Sequence, residues 1–314
     1  MFIEKTDKIN GYYRIPSIVA LKNGHLIACY ECRKPTATDW GHIDIKIIKS
    51  TDNGNSWRTV KIITSGETMN NPVLTVCDET LLFTYCKNYH DIYSMKSFDG
   101  GETFNEEKMI DVSSIDYTVI AVGPGHGIFH NGVIIMPIWF VNNIEDKLAH
   151  RPSKISTLYS TDGGDTWFVG ELIGEDLLIN PSECALAVTP ENKILISIRN
   201  ESERKERAFA VSNNGYSNWG NLSYSSNFVD PICQGSMTYD NKYIYHINCC
   251  DKNARQNLTL KVIDSNLNIV NEKLIDELAG YADIAIFDNQ LFVLYEQTLP
   301  DWNFLGLKLE KIKI

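Results

Sequence analysis

An eight-residue turn motif recurs along this chain, and its period constrains the fold more than any other feature. It reads Ser50-Thr-Asp52-Asn-Gly54-Asn-Ser56-Trp57, then Ser97-Phe-Asp99-Gly-Gly101-Glu-Thr103-Phe104, then Ser160-Thr-Asp162-Gly-Gly164-Asp-Thr166-Trp167. A degraded fourth copy is Ser212-Asn-Asn214-Gly-Tyr216-Ser-Asn218-Trp219. In such a motif Asp or Asn bonds its own backbone, Gly takes a positive φ, and the aromatic anchors the turn on a core. Starts at 50, 97, 160 and 212 give the spacing of β-propeller blades. The pattern predicts a closed ring of similar sheets with the functional residues gathered at one end.

Short apolar runs joined by tight turns fill the space between motifs, with no sustained helical period. Blade one reads as strands at 13–21, 26–33, 43–49 and 57–63, with Asn23-Gly24 as a hairpin turn and the first motif between the third and fourth strands. Similar quartets start near Asn71, Gly125, Glu183 and Cys233. The last unit supplies only 281–287, 290–296 and 304–314, so the unused run 1–4 is expected to complete it and close the ring, removing an exposed sheet edge. The expectation is an all-β, six-bladed propeller of four-stranded antiparallel blades, one domain over 1–314.

Composition narrows the function. With 43% hydrophobic residues the chain can fill a large core, and its net charge of -11 disfavours nucleic acid and anionic membrane surfaces as partners. A local arginine cluster can still bind a small anion, because distant charge is screened. No stretch approaches the roughly 18 uninterrupted apolar residues of a membrane helix, and residues 1–20 lack a basic start followed by an apolar block. The eight cysteines lie mostly in apolar runs (Cys29, Cys77, Cys86, Cys184) and have the spacing of neither a zinc site nor a disulfide framework. Reduced buried thiols, a cytoplasmic location (secreted, had a signal peptide preceded this sequence) and a monomer are expected. Cys249-Cys250 has no assigned role.

Hairpin register brings the chemistry together, because opposed residues share a face. A two-residue turn at Asn23-Gly24 sets Arg14 opposite Arg33, unless a bulge at Pro16 shifts the pairing. A turn at Asp288-Asn289 sets Tyr281 opposite Glu296, and a loop centred on Glu191 sets Glu183 opposite Arg199. Each pair lies at the open end of its hairpin. The second connection of each blade shares that end, where Asp39 follows Arg33 and Arg255 follows Cys250. Arg14, Arg33, Asp39, Glu183, Arg199, Arg255 and Tyr281 thus converge on one rim with Glu296 behind, and the turn motifs lie at the other end as structural elements. Asp44 competes with Asp39, and Arg204 and Arg207 with Arg199.

Tyr13-Arg14-Ile15-Pro16, the four turn motifs, Gly123-Pro124-Gly125-His126-Gly127 and Asp230-Pro231-Ile-Cys-Gln234-Gly235-Ser236 resemble the exo-α-sialidase family of bacteria and animals. The likeness spans nearly the whole chain. It implies retaining hydrolysis of terminal sialic acid from glycoconjugates or oligosaccharides. By resemblance Arg14, Arg199 and Arg255 would grip the substrate carboxylate and Arg33 would lie near its 4-hydroxyl. Asp39 would be the acid/base, Tyr281 the nucleophile, Glu183 its base, and Glu296 the carboxylate that orients Arg14. An arginine fork matches a carboxylate in shape and charge. A neutral phenol is not repelled by a substrate carrying its own carboxylate, a recognised exception to the two-carboxylate pattern of glycosidases. With a reference pKa of about 10, the phenol needs a base. No metal or cofactor is called for. His126 stands where the family suggests glutamine and is expected to support the site, while Trp40 and Trp139 are candidates for the glycerol or N-acyl side. Transfer to a sugar acceptor, anhydro-sialic acid formation, another nonulosonic acid, and a non-catalytic sialic-acid-binding propeller are the alternatives. The joint presence of Tyr281, Glu183 and Asp39 weighs against the last.

Overall fold

The computed structural model describes residues 1–7, 11–143, 145–300 and 303–314, and their regular secondary structure is entirely β. Six antiparallel sheets radiate from an axis lined by their first strands, so the chain is a six-bladed β-propeller. Blade one comprises Tyr12–Ala20, Leu26–Lys34, His42–Ser50 and Arg58–Ile63, within a residue or so of the sequence reading. Blade six comprises Ala279–Phe287, Gln290–Thr298 and Phe304–Lys313, with Phe2–Lys5 as its outermost strand. The ring therefore closes through the N-terminal run, and the Met1 ammonium donates to Leu309 O at 2.7 Å.

Blade three departs from the sequence reading. Its inner strand starts at Val119, ahead of Gly125, and is broken. Val119–Val122 and Ile128–His130 both pair with Val133–Val141, while Gly125–His126 between them pairs in parallel with Met69–Cys77 of blade two. Gly123 (φ 50°) and Gly125 (φ 105°) permit the excursion, and Pro124 offers no N–H to hold a regular ladder. The outcome joins two neighbouring blades by backbone hydrogen bonds.

The turn motifs bind each blade to the one before it. In the first, Asp52 Oδ1 accepts from Asn55 N (3.1 Å) and Ser56 N (2.8 Å), and Ser50 Oγ accepts from Gly54 N (2.9 Å). The hydroxyl of Ser56, donating to Asp52 Oδ2 at 2.6 Å, and then the Ser56 N–H hold the Asp52 carboxyl down at about 2. A Cβ on Gly54 would lie 2.8 Å from Leu309 of blade six, and one on Gly101 would lie 2.7 Å from Ile27 of blade one. Lys49 Nζ donates to Gly100 O at 2.7 Å, and Lys96 Nζ to Asp165 Oδ1 at 2.7 Å. The degraded copy keeps the device: Thr157 Oγ1 donates to Gly215 O at 2.8 Å, and Tyr216 stacks on Tyr159 at 4.1 Å.

Inner strands carry bulges at one height, and these aim the site. Tyr12–Ala20 is irregular between Arg14 and Ser17, Met69–Cys77 between Asn70 and Val73, and Ala279–Phe287 between Ala279 and Ala282. Ile15 (φ 56°) and Asn71 (φ 52°) each precede a proline and occupy the left-handed region, a conformation costing a β-branched residue about 1–3 kcal/mol. A buried carboxylate holds each freed N–H: Ile15 N donates to Glu296 Oε1 (2.9 Å), Tyr281 N to Glu296 Oε2 (3.1 Å) and Asn71 N to Glu31 Oε1 (2.8 Å).

The first of the three register expectations fails. The turn is a three-residue loop, Lys22-Asn23-Gly24, closed by Leu21 N donating to His25 O, and the Ile15-Pro16 bulge shifts the register again. Arg14 consequently opposes Glu31, and Arg33 opposes Tyr12. At Asp288-Asn289 both residues have positive φ, the two-residue turn forms, and Ala282 pairs with Tyr295 as that turn requires. The ladder is irregular just before that pair, however, and Tyr281 meets Glu296 through its N–H rather than as a ladder pair. Cys184 pairs with Ile198, which puts Glu183 beside Arg199 just beyond the ladder.

Candidate active site

A cavity of about 520 Å³ opens at the end of the ring opposite the turn motifs. Arg14, Arg33, Asp39, Glu183, Arg199, Arg255 and Tyr281 all line it. They come from blades one, four, five and six. Short strands and bulges of a rigid array hold them, so little rearrangement is needed to present them together.

Tyr281 lies at its floor, 5% exposed. Its hydroxyl is within 2.6 Å of Glu183 Oε1 and 2.7 Å of Oε2, and accepts from Arg199 Nη1 at 2.8 Å. Arg199 Nη1 also pairs closely with Glu183 Oε2. Two more guanidinium groups flank the ring, Arg14 with Cζ 5.4 Å and Arg255 with Cζ 5.3 Å from its centroid. Burial pushes the phenol well above its usual value; Arg199 pulls it down, Glu183 pushes it further up, and Arg255 opposes. The net direction is upward, so the phenol is neutral at neutral pH.

Arg14 is held from beneath. Its Nε lies 3.1 Å from Glu296 Oε1 and its Nη2 3.4 Å from Oε2, and Glu296 is wholly buried. Toward the opening, Arg14 Nη1 stands 3.7 Å from Asp39 Oδ1. Asp39 is the most open member, its side chain 49% exposed, and its Oδ1 accepts from Arg33 Nη1 at 2.7 Å. Burial would raise its carboxyl, but Arg33 and then Arg14 overrule that and keep it below the ordinary value. Arg33 is 1% exposed and engaged by Glu31 Oε2 (2.7 Å to Nε) and Ala37 O (2.8 Å to Nη1). In this arrangement it chiefly positions Asp39.

The competing assignments fall elsewhere. Asp44 pairs with His42 at 3.1 Å outside the cavity. Arg207 is fully buried against Asp230 (2.7 Å), and Arg204 lies over Tyr224 (4.9 Å) on the surface. Trp139 lines the cavity, whereas Trp40 does not and packs at a tilt against Tyr89, ring centroids 4.8 Å apart. His126 donates from the axis to Asp283 at 2.7 Å and does not line the cavity. Sequence reasoning missed Asn71, Tyr89 and His150 in the wall. Tyr89 and His150 sit on connections without periodicity, but Asn71-Pro72 repeats the Ile15-Pro16 pattern and was a usable signal. Among the described residues no group of three or more His, Cys, Asp or Glu side chains is disposed to hold a metal ion, and no helix is long and apolar enough to cross a membrane.

Comparison with known proteins agrees with this architecture. The BNR repeat-like domain family matches residues 24–276. A sialidase of Paraclostridium sordellii is 25% identical across 91% of this chain and 81% of its own length. A sialidase of Bacteroides fragilis is 22% identical across 98% of this chain and 64% of its own length. Among solved structures, the Hadza microbial sialidase Hz136 superposes with a TM-score of 0.79 at 19% identity, covering 96% of this chain and 66% of that one. Trypanosoma rangeli sialidase in complex with sialic acid gives a TM-score of 0.73 at 18% identity, covering 98% of this chain and 55% of that one. The chain thus spans about two thirds or less of the length of several relatives. The curated relatives it resembles here are sialidases, and the chain itself belongs to the BNR repeat-like domain family.

Proposed function

We propose that this chain is a retaining exo-α-sialidase that releases terminal sialic acid through a covalent link to Tyr281. The observation that carries the reading is the Tyr281–Glu183 contact, 2.6 Å from hydroxyl to carboxylate, within reach of Arg14, Arg199 and Arg255. Three guanidinium groups around one phenol suit a ligand with its carboxylate at the reacting carbon, each charge-assisted hydrogen bond contributing about 1.5–3 kcal/mol.

Glu183 takes the phenol proton as the tyrosine oxygen attacks the anomeric carbon. Asp39 donates a proton to the departing glycosidic oxygen, then removes one from the water that cleaves the tyrosyl link. Two displacements at one carbon retain configuration. Arg33 and Arg14 hold the Asp39 carboxyl below its ordinary value, in the ionised form. A substrate carboxylate on Arg14 neutralises that cation and places a like charge nearby, which raises the Asp39 carboxyl toward the protonated form an acid needs. Substrate binding thereby arms the acid.

Hydrolysis of an aryl α-sialoside by the wild type, followed by NMR, tests the reading. α-Sialic acid as the first product supports it. An anhydro sugar moves the chain to the diverted-intermediate class, and saturable sialic acid binding without turnover makes it a lectin.

A further inference from the structure

Arg207, His246 and Lys261 are packed in the interior of blades four and five, exposed by 0%, 0% and 1%. Asp230 answers Arg207 at 2.7 Å. Burial, then Arg207 and Lys261, hold His246 well below its usual value, so it adds no charge, and its Nδ1 has no hydrogen-bond partner. Lys261 is different. Among the described residues it has no carboxylate within ion-pairing distance. Its ammonium donates to Cys250 Sγ at 3.1 Å and lies 5.5 Å from the Phe228 ring centroid. A buried cation with no anionic partner is costly, and among the described residues the hydrogen-bond acceptor it meets is a thiol sulfur. Of the eight cysteines, seven are buried and Cys250 alone is partly exposed.

We propose that Cys250 is a modification site, the thiol of this chain that reacts first with soft electrophiles and peroxides, with Lys261 stabilising the negative charge that develops on sulfur. Reactive cysteines sit in partly open, electropositive surroundings of this kind. With a peroxide, sulfur attacks one peroxide oxygen: the S–O bond forms and the O–O bond breaks. The thiol proton leaves with the departing hydroxide as water, sulfur is oxidised by two electrons to a sulfenic acid, and the peroxide is reduced.

The site is tied to the cavity through one loop. Cys250 N donates to Asn257 O at 3.0 Å, closing the base of 250–257, and Asp251 braces its interior through Asn253 N (2.7 Å), Ala254 N (2.9 Å) and Gln256 Nε2 (2.9 Å). Arg255 rides on that braced loop. An oxygen added to Sγ has to fit against an ammonium now 3.1 Å away, so the base of the loop shifts and loosens.

The test is limited alkylation of the folded chain with iodoacetamide, read by peptide mass, which does not depend on sialidase activity. Cys250 is expected to label first, and Lys261→Met to slow that labelling about tenfold or more, the weight of one charge-assisted contact. Another cysteine labelling first, or an unchanged rate in Lys261→Met, overturns the proposal. Should that variant not fold, the rate at Cys250 in the native chain against the urea-unfolded chain decides: faster when native supports the role of Lys261, slower overturns it. Hydrogen exchange across 251–257 should rise after hydrogen peroxide in the wild type and not in Cys250→Ser. Exchange that rises equally in both, or in neither, removes the link to the loop.

Discussion

Glu296 and Tyr281 are joined through the backbone: Glu296 Oε2 accepts the Tyr281 N–H at 3.1 Å while Oε1 takes Arg14 Nε at 3.1 Å and Ile15 N at 2.9 Å. One buried carboxylate therefore fixes the tyrosine, the first arginine and the strained residue beside it. Glu296→Ala takes the buried Arg14 guanidinium's closest carboxylate away, leaves two N–H groups unpartnered and is expected to cost about 3–5 kcal/mol, read by urea unfolding. Gly280→Ala tests the same contact sterically, since its Cβ would lie 2.4 Å from Glu296 Oε2. It should fold and lose about 100-fold in kcat/KM through misplacement of Tyr281.

Removing the proposed base is expected to separate chemistry from binding. Glu183→Gln keeps the shape and a hydrogen bond to Tyr281 but cannot accept its proton. Steady-state kinetics on an aryl sialoside should show kcat lower by about 10²–10⁴, with KM changed much less.

The turn motifs are expected to matter for stability alone. Gly101 has φ 81°, and its Cβ would lie 2.7 Å from Ile27 Cδ1. Gly101→Ala should destabilise by about 1–2 kcal/mol in thermal or denaturant unfolding, with KM and kcat unchanged at a temperature where it stays folded.

His126 gives the fold a pH dependence of known sign. Burial lowers its pKa, but Asp283 outweighs burial, and the folded value stands above the ordinary 6.5. A group whose folded pKa is raised contributes stability that is fully present below its unfolded pKa and fades as pH rises through the folded value. The difference in unfolding free energy between wild type and His126→Gln should therefore be larger at pH 5.5 than at pH 9. An equal or reversed difference would contradict the Asp283 pairing.

The sequence carried the ring and most of the cavity, for reasons visible in particular residues. Asp288-Asn289 names its own turn, because both residues tolerate positive φ and no neighbour offers a competing closure. Asn23-Gly24 looks equally clear and misleads. Asn23 Oδ1 accepts from His25 N (3.0 Å) and widens the loop to three residues, and Ile15-Pro16 then slips the strand again. Glu31 was legible in principle, being two residues from Arg33 on the same face of one strand. Tyr89 and His150 were not, since their ring packing at 5.2–6.1 Å on each other and on Trp139 joins segments distant in sequence and leaves no local pattern. Gly125–His126 crossing to blade two is likewise a tertiary choice.

Trapping with 2,3-difluorosialic acid tests the central claim most directly. The wild type should gain the mass of one fluorosialyl group, and peptide mapping should place it on Tyr281, with none in Tyr281→Phe. Turnover of an aryl sialoside with the adduct on Asp39 or Glu183, or with no adduct at all, would contradict a tyrosyl intermediate.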